Sequence, residues 1–203
     1  MTGVQTCALP IFVAVDPWAL SPGENVEHLR EMADRGARGI KLHPVVQRFA
    51  PGDPRMHDVF RECEEMGLVV LSHTGSAKGG EVFAQPSAFA EVLQEFPRLT
   101  VVLAHLGGGS WHQTLDLAGA FPGVTFDLCE IIEWTGAPSA PTDEDLARLI
   151  ADIGPDRVML GTDFPWYDLD HTAQRVLDLP LLSKEAKERI LGANAVGILG
   201  LRV

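Results

Sequence analysis

Six apolar runs, at Phe12 to Asp16, Gly39 to His43, Leu68 to His73, Thr100 to His105, Val124 to Leu128 and Arg157 to Asp163, alternate with segments whose apolar residues recur at helical spacing. The runs lack polar alternation, which is the pattern of strands buried on both faces of a parallel sheet. Parallel neighbours need crossover connections, and each intervening segment is long enough to supply a helix. The chain therefore reads as an α/β fold of six βα units, either open and doubly wound or closed as a (β/α)8 barrel.

The helices carry their own boundary signals. Ser21-Pro22-Gly23-Glu24, Ser110-Trp111-His112-Gln113 and Thr142-Asp143-Glu144-Asp145 have the form of capping boxes, and Asp53-Pro54 sets a cap before a first-turn proline. Val26, Leu29, Met32 and Ala33 form one apolar stripe, Val59, Phe60, Cys63 and Met66 a second, and Leu146, Leu149, Ile150 and Ile153 a third. Gly36, Gly67 and Gly154 fall where helices should close.

Composition narrows the partners. With 203 residues, 46% of them hydrophobic, one domain with a full core is expected. The net charge of -12 disfavours nucleic acid and anionic membranes, which call for clustered Lys and Arg. A small-molecule substrate remains, with assembly of identical chains as the one protein partnership this reading admits. Cys7, Cys63 and Cys129 show no C-x-x-C spacing, so a reduced, cytoplasmic setting is expected. Met1 to Ile11, MTGVQTCALPI, is uncharged and aperiodic and resembles a translated sequencing adapter. We expect residues 1–11 to be foreign and 12–203 to form the domain.

Three runs end on residues that bind divalent metals: VVLSHTG on His73, VVLAHLGGG on His105 and VMLGTDFPW on Asp163. In α/β folds the carboxyl ends of the strands are where catalytic groups collect. Because these residues end several different strands, and no G-x-G-x-x-G follows the first, the barrel is the preferred architecture. A barrel usually takes about 250 residues. The expectation is thus an incomplete barrel, with two units missing at the front.

The motifs GIKLHP (Gly39 to Pro44), LSHTG (Leu71 to Gly75), AHLGGG (Ala104 to Gly109), GTDFPW (Gly161 to Trp166) and the closing GANAVGILGL resemble the amidohydrolase-related TIM-barrel hydrolases. The resemblance is strongest to the branch of aminocarboxymuconate-semialdehyde decarboxylase-like enzymes. It implies that the six strands match strands three to eight of that barrel. It also implies that His73 is a metal ligand, Asp163 a ligand or the base for the attacking water, and His105 a ligand or the neighbouring acid–base group. The first-strand His-x-His pair of the family has no counterpart in this chain. Imidazole and carboxylate donors suit Zn²⁺, the metal expected here.

Each residue also has a structural reading. A lone strand-end His is commonly a satisfied core residue, and Asp163 before Phe164-Pro165 could initiate a turn. Lys41 and His43 share a strand face; Lys41 could be a carbamylated lysine, an anion-binding group or half of a buried ion pair. Trp18, Trp111, Trp134 and Trp166 follow strand ends, and Trp111 and Trp166 are candidate walls of a substrate pocket, rim packing being the alternative. Gly107 to Gly109 before Ser110 could offer backbone N–H groups to a carboxylate. His28, His57 and His171 are expected in solvent.

The expected function is a metal-dependent hydrolase acting on a small carbonyl or carboxylate compound through metal-activated water. A carboxy-lyase of the same family is the alternative. From other classes come a non-catalytic fragment lacking the His-x-His ligands, and a metal-free barrel using His105 and Asp163 alone.

Overall fold

The computed structural model describes residues 11–75 and 84–201, so all of the adapter-like segment except Ile11 lies outside the described residues. Six strands, β1 (Phe12–Ala14), β2 (Gly39–Leu42), β3 (Val69–Ser72), β4 (Val101–Leu103), β5 (Thr125–Asp127) and β6 (Val158–Met159), stand side by side in chain order. Every neighbouring pair is parallel. A doubly wound sheet reverses strand order at a switch point; an unbroken order is that of a barrel wall. Among the described residues β1 pairs only with β2 and β6 only with β5, so the wall is an open arc.

The connections carry helices α1 (Pro22–Asp34), α2 (Pro44–Gln47), α3 (His57–Met66), α4 (Ala90–Glu95), α5 (Thr114–Ala120) and α6 (Asp143–Ile153). After β6 come α7 (Leu169–Asp178), α8 (Lys184–Glu188) and α9 (Asn194–Ile198). The boxes at Ser21 and Thr142 form as expected, each hydroxyl accepting from the N3 backbone while the N3 carboxylate reaches back. Gly67 ends α3 in the left-handed conformation.

The box expected at Ser110 does not form. Residues 104–113 run through left-handed backbone at His105, Leu106, Gly107 and Gly108, and α5 starts only at Thr114. Tertiary bonds hold this path: the Thr114 hydroxyl donates to the Leu106 carbonyl at 2.9 Å, and the Gly107 N–H donates to Thr74 Oγ1 at 3.2 Å. That N–H is consumed, so Gly107 does not offer it to a carboxylate. Two apolar stripes also need correction. In α1 the buried residues are Asn25 and Leu29, and in α3 Met66 is exposed. Asn25 is inside because its amide closes the loop after β1, donating to the Asp16 carbonyl and accepting the Asp16 N–H.

Side-chain parity sorts the sheet into two faces. Ile40, Leu42, Val70, Val101, Leu103, Phe126 and Val158 point outward and form the main core with Leu29, Phe60, Leu146 and Ile150 of the helices. Val69, Val102 and Met159 point to the concave side, packing with Phe12, Leu71 and, from α9, Ala195 and Ile198. Helix α9 therefore fills the floor of the arc. It is pinned by Asn194, whose Nδ2 donates to the carbonyls of Pro155 and Val158, both at 2.7 Å. Asn194→Leu is expected to leave buried carbonyls unmet, costing about 1–3 kcal/mol and lowering Tm by several degrees in thermal unfolding.

Candidate metal centre and active site

The parity that sends Val69 and Leu71 to the concave side sends His73 there as well, one residue past β3. On β2 the same rule places Lys41, and after it His43. The strands are shorter than the apolar runs predict, ending before His43, His73, His105 and Asp163. His105 lies two residues beyond β4 and Asp163 four beyond β6, in segments that have left the ladder. Both adopt left-handed backbone, with φ of 65° and 50°, as does Glu130 after β5 at 62°. Non-glycine residues held in this region are strained and collect at functional sites.

Three imidazoles form a row. The rings of His43 and His73 stack with centroids 4.0 Å apart, and His105 meets His73 edge-on at 4.7 Å. Burial first, then the neighbouring His105, His43 and Lys41, push the His73 pKa down to about 3. His73 is therefore neutral, the form that binds metal. The His43 pKa is lowered by burial and then by the Lys41 charge, with Asp163 opposing.

Hydrogen bonds assign the tautomers of the outer two rings. His43 Nδ1 accepts the Val46 N–H at 3.3 Å, capping α2 and leaving the proton on Nε2. His105 Nδ1 lies 3.1 Å from the Cys129 carbonyl, which can only accept, so Nδ1 carries the proton and Nε2 is bare. An imidazole anchored at one nitrogen presents the other in a fixed direction.

Asp127 orients this corner of the site. Its Oδ1 accepts the His105 N–H at 2.8 Å, the Cys129 N–H at 3.1 Å and the Cys129 thiol at 2.8 Å. His105, Asp127 and Cys129 bring their donor atoms within 4.8 Å of one another, all buried. Sequence reasoning missed Asp127 as a site residue. Its signal was parity: Asp127 and Cys129 alternate with the outward-facing Phe126 and Leu128.

Burial and then the Asp127 charge raise the Cys129 thiol pKa far above its ordinary value, and burial pushes Cys63 up to about 12. Thiolate is the reactive form. Iodoacetamide at pH 8 should leave Cys63 and Cys129 unmodified in the native protein and label both after unfolding in guanidinium, as read by peptide mass mapping.

Other expectations are redirected. Among the described residues, no ion pair includes Lys41, so the structural-pair reading has no partner there. Trp111 Nε1 donates to the Ser139 carbonyl at 3.2 Å, and the residue lines a surface groove with Asp145 and Leu149 of α6. Trp166 is 76% exposed. The tryptophan that faces a cavity with His105 is Trp134. His171 is in solvent as expected, with Glu133 at 3.1 Å, while His57 is less exposed and lies 3.3 Å from Glu95.

The sequence profile described as Amidohydrolase matches residues 8–201. The chain belongs to the amidohydrolase family. Within that family it is 27% identical over 208 residues to the 2-amino-3-carboxymuconate-6-semialdehyde decarboxylase of Dictyostelium discoideum, a match covering 87% of this chain and 57% of the relative. This amidohydrolase chain thus spans little more than half the length of that curated relative. Its fold matches an uncharacterized TIM-barrel protein from Bordetella bronchiseptica with a TM-score of 0.79 and 25% identity, over 92% of this chain and 65% of that one. It also matches a dihydroxybenzoic acid decarboxylase from Polaromonas sp., solved with bound manganese and 2-nitroresorcinol, with a TM-score of 0.69, 14% identity and coverage of 90% and 67%. At that identity the likeness speaks for the fold alone. Among the described residues, no helix is long and apolar enough to cross a membrane.

Proposed function

We propose that this chain carries the site of a metal-dependent carboxy-lyase acting on a small carboxylate. The hydrolase expectation rests on superfamily likeness; the activity named for the Dictyostelium relative favours decarboxylation. The observation that carries the reading is the row of imidazoles, neutral His73 at its centre and His105 at its end with a bare Nε2, on the concave side of the sheet.

The donor set fits a divalent cation. His73 offers a neutral ring, Asp163 a carboxylate at the mouth, and the Polaromonas enzyme was solved with manganese. Nitrogen and oxygen donors suit Zn²⁺ or Mn²⁺, and zinc is the cation we assign first. When bound, the cation supplies Lewis-acid polarisation of the substrate's carboxylate.

The remaining roles belong to the chain. Lys41 draws the carboxylate toward the concave face, and the His43 Nε2–H donates to it. The bond from the carboxyl carbon to its neighbour breaks, its electron pair stays on that neighbour, and CO₂ leaves. His105 Nε2, bare at rest, takes up a proton from solvent by way of Asp163 and hands it to the neighbouring carbon.

The test is CO₂ release against hydrolysed product over a panel of small acids, with Mn²⁺, with Zn²⁺ and after chelation. Cation-dependent CO₂ is the expected result. Hydrolysed product alone would return the reading to hydrolase, and turnover that survives chelation would remove the metal.

A further inference from the structure

Beside His105 the loop after β5 lines a partly open cavity of about 130 Å³ with Ile131, Trp134, Pro138 and Ala140 in its walls; its two ionisable groups are His105 and Glu130. A dry cavity of about 150 Å³ holds one benzene ring. The space beside His105 therefore has room for a single ring.

The walls are held without a ligand. The Glu130 carbonyl accepts the N–H groups of Glu133 and Trp134, closing a tight turn from a left-handed residue. Trp134 Nε1 donates to the Tyr167 hydroxyl at 2.7 Å, fixing the indole plane. From α7, Arg175 clamps the same loop by donating to the Ile132 carbonyl and to Thr135 Oγ1.

Glu130 is the unusual member of this wall. Its side chain is 26% exposed, and its Oε2 lies 3.6 Å from His105 Nδ1, a nitrogen whose proton already goes to the Cys129 carbonyl. A carboxylate has about four lone-pair sites, so Glu130 keeps acceptor capacity facing the cavity. Its charge also repels an acid's own carboxylate, while the Lys41 cation sits on β2, at the far side of the imidazole row.

We propose that Glu130 is a specificity-determining residue of this site. It accepts a hydrogen bond from a hydroxyl or amino substituent of a single-ring carboxylic acid whose face lies on Trp134 and whose carboxylate points toward Lys41. The inference rests on the carboxy-lyase reading for the direction of that carboxylate.

The experiment is calorimetric titration of the 203-residue chain with 3- and 4-hydroxybenzoate and their methyl ethers, with CO₂ release followed in parallel. At least one hydroxybenzoate should bind about tenfold or more tighter than its ether, the worth of a charge-assisted hydrogen bond. In Glu130→Gln that preference should fall to about threefold or less. In Trp134→Ala every single-ring ligand should weaken by about tenfold while the preference persists. Thermal unfolding verifies that both variants fold. Equal affinity for hydroxyl and ether in the parent chain, a preference that survives Glu130→Gln, or no binding of any ring acid overturns the proposal. The preference without CO₂ release removes the carboxy-lyase reading alone; CO₂ release without the preference removes the Glu130 assignment alone.

Discussion

Asp163→Asn is expected to lower turnover by about 10²–10⁴-fold, the usual worth of a positioned acid–base group. The substitution isolates the charge. Asp163 sits at φ 50°, a region that asparagine enters more readily than other L-residues, so the backbone keeps its path. Alanine there would mix the loss of the carboxylate with backbone strain. If Asp163 also holds the cation, metal content by mass spectrometry falls together with CO₂ release; if it serves only as a proton carrier, metal content stays and the rate alone drops. A rate within about threefold of the parent would remove Asp163 from the site.

Gly39→Ala is expected to be the most damaging small substitution in the sheet. The residue opens β2 and lies in register with Val69 of β3. A Cβ at this position would stand 2.1 Å from the Val69 carbonyl oxygen and 2.7 Å from the Phe12 ring. A carbonyl within the sheet cannot withdraw without moving its strand. The cost should reach the top of the overpacking range, about 3 kcal/mol, or about 6–12 °C in Tm for a chain of this size. Gly23→Ala is the matched control, because nothing lies within 4 Å of its added carbon. A Gly39→Ala protein that melts with the parent would mean that β1, β2 and β3 do not approach as described.

Much of the fold was legible because it depends on periodicity and local chemistry. Six apolar runs became six parallel strands in chain order. Two of three capping boxes formed where hydroxyl and carboxylate stood three residues apart. The third failed because Ser110 is buried in a segment whose path is set by Thr74, Thr114 and the glycines rather than by its own cap. A local rule holds where local bonds outweigh tertiary ones.

In the candidate site, strand ends pointed to His73, His105 and Asp163, and parity to Lys41 and His43. Asp127 was overlooked because one aspartate at the end of an apolar run looks like a turn former. One of its three hydrogen bonds, from the His105 N–H, ties the end of β5 to the segment after β4, a link that no single run reveals. The tryptophans show the converse. All four follow strands, yet the placing of each ring is set by the loop that carries it, and the loop clamped by Arg175 lines a cavity with His105 through its indole.

Sequence by itself therefore determined the class of fold, the strand order that parallel crossovers impose, and which chemical groups stand at the sheet's carboxyl edge. Those follow from side-chain alternation along a strand and from caps only a few residues wide. Tertiary structure alone decided which imidazole nitrogen is bare, that Asp127 steadies His105, and that Glu130 and Trp134 share a ring-sized cavity. Each of these depends on hydrogen bonds between residues roughly twenty to forty positions apart, whose geometry exists only once the strands have paired and the loops between them have been clamped.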